Sequence, residues 1–196
     1  MGGVEDVVLQ EMQKKEKGNK QPNANEIKLQ PLQLTAAIVE KKAKIDRYKD
    51  AIDDLATKIQ MVSQANPAVI GEENCEKAAK HQRTIRDEVR KAIKHLRRYS
   101  LVEYKELHDN YVQMEELLKL MDNARNEVRD CTNAMEIDKK ALNFKVFIAQ
   151  FETQTAKVQA LLNNFDAHVV IHAKNVVDFM GVIRKYYEEP KLSKAK

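Results

Sequence analysis

Residues 141–188, ALNFKVFIAQFETQTAKVQALLNNFDAHVVIHAKNVVDFMGVIRKYYE, decide the fold. Phe144, Ile148, Phe151, Thr155, Val158, Leu162, Phe165, Val169, His172, Val176, Phe179, Ile183 and Tyr186 fall at alternating steps of four and three. Side chains at that spacing share one helix face, and the sustained repeat makes the seam of a coiled-coil-like bundle. Gly181 is the first Gly or Pro in the stretch. At ~1.5 Å per residue the predicted helix is about 70 Å long, more than a compact globular domain needs.

The two halves of this helix differ. Up to His168 the apolar face is narrow, with Lys145, Gln150, Gln154, Lys157, Gln159 and Asn163 filling the other positions. From Val169 to Tyr187 it widens, because Val170, Ile171, Ala173, Val177, Met180, Val182 and Tyr187 add a second flank beside the seam. A helix apolar around most of its girth must be buried on more than one side. Its own chain covers one side, and a second copy is the simplest cover for the other. The alternative is that the remaining helices of one chain already surround this end.

Working back toward the N-terminus, a second helix is predicted from Glu73 to Lys140, unbroken by Pro or Gly. Its seam reads Cys75, Ala78, Gln82, Ile85, Val89, Ala92, Leu96 and Tyr99, then shifts phase to Leu107, Tyr111, Met114, Leu118, Met121 and Val128. The shift points either to two helices in line with a kink near 99–103 or to one long helix that changes packing partner there. The turn into the last helix is placed at Glu136 to Lys140, with Asp138 as N-cap. A first helix is predicted from Leu32 to Gln64, where Ile38, Ile45, Ile52 and Ile59 recur every seven residues, interleaved with Lys41, Tyr48, Leu55 and Val62. Lys41 is the polar misfit of that ladder. Asn66, Pro67 and Gly71 mark the connection that follows.

Residues 1–25 are Gly-rich and polar and read as a disordered tail. Within them Val4, Val7, Val8 and Met12 share one face, so the segment also reads as an amphipathic helix for a bilayer surface. Residues 26–189 form the helical domain, and residues 190–196 a basic tail.

Charge divides the second helix. Lys77, Lys80, Arg83, Arg86, Arg90, Lys91, Lys94, Arg97 and Arg98 face only Asp87 and Glu88 between 77 and 98, whereas residues 99–137 are acidic on balance. Such a field draws phosphates, and each basic side chain near an anionic membrane contributes about 1 kcal/mol. The competing reading is a solvated face that pairs with Asp46, Asp50, Asp53 and Asp54 of the first helix.

A third of the residues are charged, Trp is absent, and Gly and Pro are few, a composition of long helices and not of sheets. No run has the length and apolarity of a membrane span, and the N-terminus lacks the plan of a signal peptide. Met1-Gly2 opens like a myristoylation site, but Asp6 stands where Ser or Thr is wanted. Cys75 and Cys131 lack metal-ligand spacing and read as reduced thiols of a cytosolic protein. No phosphate loop, nucleophile elbow or zinc-spaced Cys pair is present. His168 and His172 are four apart without a carboxylate between them, so His172 on the seam reads as a core histidine. Tyr104, Tyr111, Met114 and Met121 likewise read as core. The expectation is no enzyme, no cofactor and no metal.

Three long antiparallel helices with a phase-shifted second helix, a doubly apolar third helix and a basic patch resemble the BAR (Bin/amphiphysin/Rvs) domain over Leu32 to Glu188. Val39-Glu40-Lys41-Lys42-Ala43-Lys44-Ile45, Ala65-Asn66-Pro67, Arg90 to Lys105, and Phe165 to Tyr187 with His172-Ala173-Lys174 are similar to the ciliary, Chibby-interacting BAR family. The resemblance implies an all-α, three-helix coiled-coil bundle that forms a crescent-shaped homodimer. Its dimer core would hold Val169, His172, Val176, Phe179, Met180, Ile183 and Tyr186. Its membrane face would present the nine basic residues from Lys77 to Arg98, with Lys139 and Lys140 at the tip. The acidic distal half of the second helix departs from the family's usually basic tip.

The implied function is binding or sensing of curved anionic phospholipid membrane and scaffolding of trafficking complexes, at the cytoplasmic membrane periphery. The rival is a monomeric spectrin-like or syntaxin-like adaptor for protein partners. Nucleic acid is less favoured, since the aromatic residues lie on seams and leave no stacking platform.

Overall fold

The computed structural model describes residues 30–64 and 72–192, with side chains for 30–62 and 79–185. The amphipathic stretch Val4–Met12, the connection Asn66–Gly71 and residues 193–196 lie outside the described residues. Met1–Pro31 and Leu32–Lys196 are separate units; of the first, only Gln30 and Pro31 are described, and neither has regular secondary structure.

The second unit is helical, with no strand among the described residues: α1 Ala36–Gln64, α2 Glu72–Ala92, α3 Lys94–Arg98, a π-helix Tyr99–Glu103, α4 Tyr104–Asp130, α5 Ala134–Asn163 and α6 Phe165–Leu192. Side-chain bonds order these elements. Leu32 N donates to Asp122 Oδ1 (3.3 Å), Tyr104 Oη to Asp46 Oδ1 (2.9 Å), and Ser100 Oγ to Asp53 Oδ1, so partners descend along α4 and the π-helix as α1 ascends. Lys41 Nζ donates to Asn163 Oδ1 (2.9 Å) and Tyr48 Oη meets His172 Nδ1 (3.0 Å), so partners on α5 and α6 ascend with α1. Gln154 Nε2 joins α5 to α4 by donating to the Asn110 carbonyl (2.9 Å).

Two apolar clusters form the core. One holds Ile38, Ile45, Leu107, Met114, Val158, Leu162 and Phe165; the other holds Ile52, Ala56, Ile59, Ile85, Val89, Ile93 and Leu96. The four seven-spaced isoleucines of α1 are all buried, each contributing about 1.5–3 kcal/mol of transfer free energy. Tyr48 packs against both clusters.

Several sequence expectations shift. The second inward row of α1 contains Lys42 and Ala56, both buried, while Val62 is exposed. The buried lysine is therefore Lys42, not Lys41. Its Nζ pairs with Asp46 and lies 5.3 Å from each of the Tyr104 and Tyr111 rings, so charge and two π-faces replace water. Ile93, not Ala92, enters the core, at a position where the backbone leaves helical dihedrals (φ −95°, ψ 12°) while Ile93 N still bonds to Val89 O (3.0 Å).

The last helix begins at Ala134 and not after Asp138. Asn133 caps it, accepting from Met135 N (3.0 Å), and Glu136 sits three residues on as in a capping box. The same rod is interrupted at Asn164, where ψ opens to −10° while Asn164 N still bonds to Ala160 O (3.2 Å) and His168 N to Asn164 O (3.3 Å). Helix α6 then runs to Leu192, two residues beyond the Pro190 boundary of the predicted basic tail. Pro190 removes a backbone donor, but its fixed φ still fits a helix.

The phase shift of the second rod coincides with the π-helix. A seven-residue step from Tyr99 would bring in Glu106, yet Leu107 is buried and Glu106 exposed. The wider π-turn absorbs that one extra residue, with Tyr104 N bonding to Tyr99 O and Arg98 Nε pairing with Glu103 Oε1 at 2.9 Å across five positions.

Candidate functional site

The cationic face comes first. Core positions Ile85, Val89, Ile93 and Leu96 define the inner side of α2 and α3. At 3.6 residues per turn, Lys80, Arg83, Lys91, Lys94 and Arg98 fall on the outer side and Arg90 and Arg97 on its flank, and all seven are exposed. Arg86 is half-buried, and the Lys77 side chain lies outside the described residues. The acids of α1 do not neutralise this face. Asp46 pairs with Lys42, Asp50 and Asp53 with Lys49, and Asp54 with Lys58. Each has a cation on its own helix, mostly one turn away, where such pairs form readily. Among the described residues only Arg98 of the exposed set makes an ion pair, with Glu103.

The tip is different. Lys139 is exposed, but Lys140 lines a shallow hollow with Asn123, Asn126, Glu127 and Asp130, so nearby acids offset its charge. At the tip, Lys140 therefore stands beside carboxylates, unlike the exposed cations of α2 and α3.

On α6 the seam and its flank separate. Val169 packs on the first core cluster, and Phe179, Val182 and Ile183 on the second. His172 is 2% exposed and Val176 is half-buried; the side chain of Tyr186 lies outside the described residues. Of the described residues expected between copies, Met180 alone is an exposed large apolar side chain, at 59%. Val170 (70%), Val177 (68%), Ile171 and Ala173 are also exposed. Val170, Ala173, Val177 and Met180 repeat at steps of three and four, which makes a second stripe on a different face from the core.

Between the two core clusters sits a polar aromatic layer. The Tyr48 and His172 rings stack at 5.9 Å, the Tyr99 ring meets His172 edge-on at 4.9 Å, and His168 lies 6.3 Å from His172. Burial holds the His172 imidazole down to about 4, the His168 charge adds to this, and Glu103 opposes it. A neutral ring accepts from Tyr48 Oη at Nδ1 and leaves its other nitrogen to donate to the His95 backbone. Burial pushes the Tyr99 and Tyr48 hydroxyls up, and Tyr104 up to about 12 with help from its bond to Asp46. His172 is thus a core histidine. Among the described residues no group of three or more His, Cys, Asp or Glu is placed to hold a metal. Cys131 is a free thiol. No described helix is long and apolar enough to cross a membrane.

The chain matches no protein-family model and no curated protein.

Proposed function

We propose that this chain is a non-catalytic, BAR-type homodimer, an antiparallel three-helix coiled coil that binds or senses curved anionic membrane and scaffolds membrane-shaping complexes. The observation that carries the reading is the two-sided character of α6, whose seam packs on its own chain while Val170, Val177 and Met180 are left in water. A stripe of that spacing fits a second copy of itself across a twofold axis. The net-cationic face of α2 and α3, with Asp87 its exposed carboxylate and Arg98 paired to Glu103, supplies the membrane attraction, at about 1 kcal/mol for each engaged side chain.

The test is cosedimentation with anionic vesicles, alongside mass and small-angle scattering in solution. The expected particle is an elongated dimer, and the fourfold change of Arg90, Lys91, Arg97 and Arg98 to Glu abolishes vesicle binding without altering its mass. Unchanged binding by that variant removes the cationic face from the mechanism. A second reading, the monomeric helical adaptor, draws support from the coverage of Val169, His172, Phe179 and Ile183 within one chain. A monomer in the same scattering experiment selects it.

A further inference from the structure

The π-helix does more than restore the core phase. It presents Leu101, 74% exposed, and Val102, also exposed, as a side-by-side apolar pair. Its inward positions are taken by Tyr99, which is buried, and by Ser100, which bonds to Asp53 of α1, and Tyr104 at the start of α4 bonds to Asp46. Leu101 and Val102 therefore point away from α1, to the same side as Lys94, Arg97 and Arg98 before them and Lys105 after them, all exposed. Arg98 is tied back to Glu103 by the ion pair across the π-turn, which leaves Lys94, Arg97 and Lys105 free around the pair.

We infer that Leu101 and Val102 are a membrane wedge: the cations of α2 and α3 engage lipid phosphates while this pair enters the acyl boundary. The inference rests on the proposed membrane binding and goes beyond it, because a face that acts by charge alone has no use for an exposed leucine among its cations. The charge pattern favours a bilayer over a protein groove. From Lys80 to Lys105 the cations extend along about 37 Å of helix at ~1.5 Å per residue, matching an extended anionic surface and not a single counter-charge. Long basic side chains also keep their charge at the headgroups while their stems follow the apolar pair inward.

The chain has no Trp, so Leu101→Trp installs a sole reporter at an exposed position. With vesicles of phosphatidylcholine and phosphatidylserine, its emission is expected to shift to the blue and to be quenched by brominated acyl chains. Leu142→Trp, an exposed control on α5, should show neither change. Leu101→Ser with Val102→Ser should weaken vesicle binding about tenfold or more, as loss of two partly buried side chains implies, and what remains should be more sensitive to salt. If the reporter stays in water while the protein sediments with vesicles, the wedge is overturned and the electrostatic reading stands. If the unmodified protein does not bind anionic vesicles at all, the proposed function fails, and the wedge with it. A blue shift that depends on protein concentration without lipid assigns the pair to a second copy and also overturns the wedge. Val102→Trp repeats the reading should Leu101→Trp disturb the helix, with circular dichroism reporting the fold.

Discussion

Val177→Asp is the sharpest probe of self-association, because Val177 touches solvent in the single chain while its neighbour Phe179 touches the core. Full burial of a Val or Met side chain contributes about 1.5–3 kcal/mol, so covering the 68% of Val177 that is exposed contributes about 1–2 kcal/mol per chain. The carboxylate brings a further penalty of at least about 1–3 kcal/mol when shut between two apolar stripes. A twofold contact counts both effects on each chain. The total exceeds about 4 kcal/mol, which at 1.4 kcal/mol per decade weakens the dimer by roughly a thousandfold. Size exclusion with light scattering across a concentration series reads the mass, and a circular dichroism melt reads the monomer. The expected result is a helical monomer with little loss of intrinsic helicity. Phe179→Asp should instead lower the melting temperature or unfold the chain, since it places the carboxylate in the second core cluster. A Val177→Asp protein that keeps full dimer mass at the same concentration refutes the stripe as the interface.

Three further outcomes follow from the geometry. His172 is held near 4 in the folded chain against ~6.5 unfolded, so between those values the unfolded chain binds more protons. Stability is full above about pH 6.5 and falls as pH drops toward 4, by on the order of 2 kcal/mol with allowance for nearby solvent. Denaturant midpoints at pH 7 and pH 5 measure this; an equal drop in His172→Gln would assign it to other groups. Deleting Val102 should convert the π-turn to α-helix and leave the melting temperature within a few degrees, whereas deleting Val112 from regular α4 should unfold the bundle. Survival of the second deletion and loss of the first would reverse the account of the phase shift. Ile45→Ala, at a fully buried site, should cost about 2–5 kcal/mol in denaturant unfolding, and a loss below 1 kcal/mol would mean the first core cluster is loosely packed.

Periodicity carried much of the secondary structure into view. The seven-spaced isoleucines of α1 and the inward row from Phe144 to Ile183 are read directly from the sequence, because a helix turns apolar side chains to one side only if they recur every three or four residues. The discontinuity at 99–103 is legible for the same reason: a seam that skips a residue must take it up somewhere. Competition between neighbours of equal propensity is not legible. Asn133 outranks Asp138 as a cap, Asn164 interrupts the last rod, and Ile93 displaces Ala92, each by local geometry worth a kilocalorie or so.

Charge needed the tertiary structure most. The sequence by itself determined that nine cations lie along one helix and four aspartates along another. Only the fold decided that the aspartates are engaged by Lys42, Lys49 and Lys58, and that seven of the cations stand in solvent. It also decided which apolar row of α6 the chain keeps for itself and which it leaves in water. Pairing and burial depend on where a neighbouring helix stands, and one-dimensional spacing fixes the face of a helix but not its neighbour.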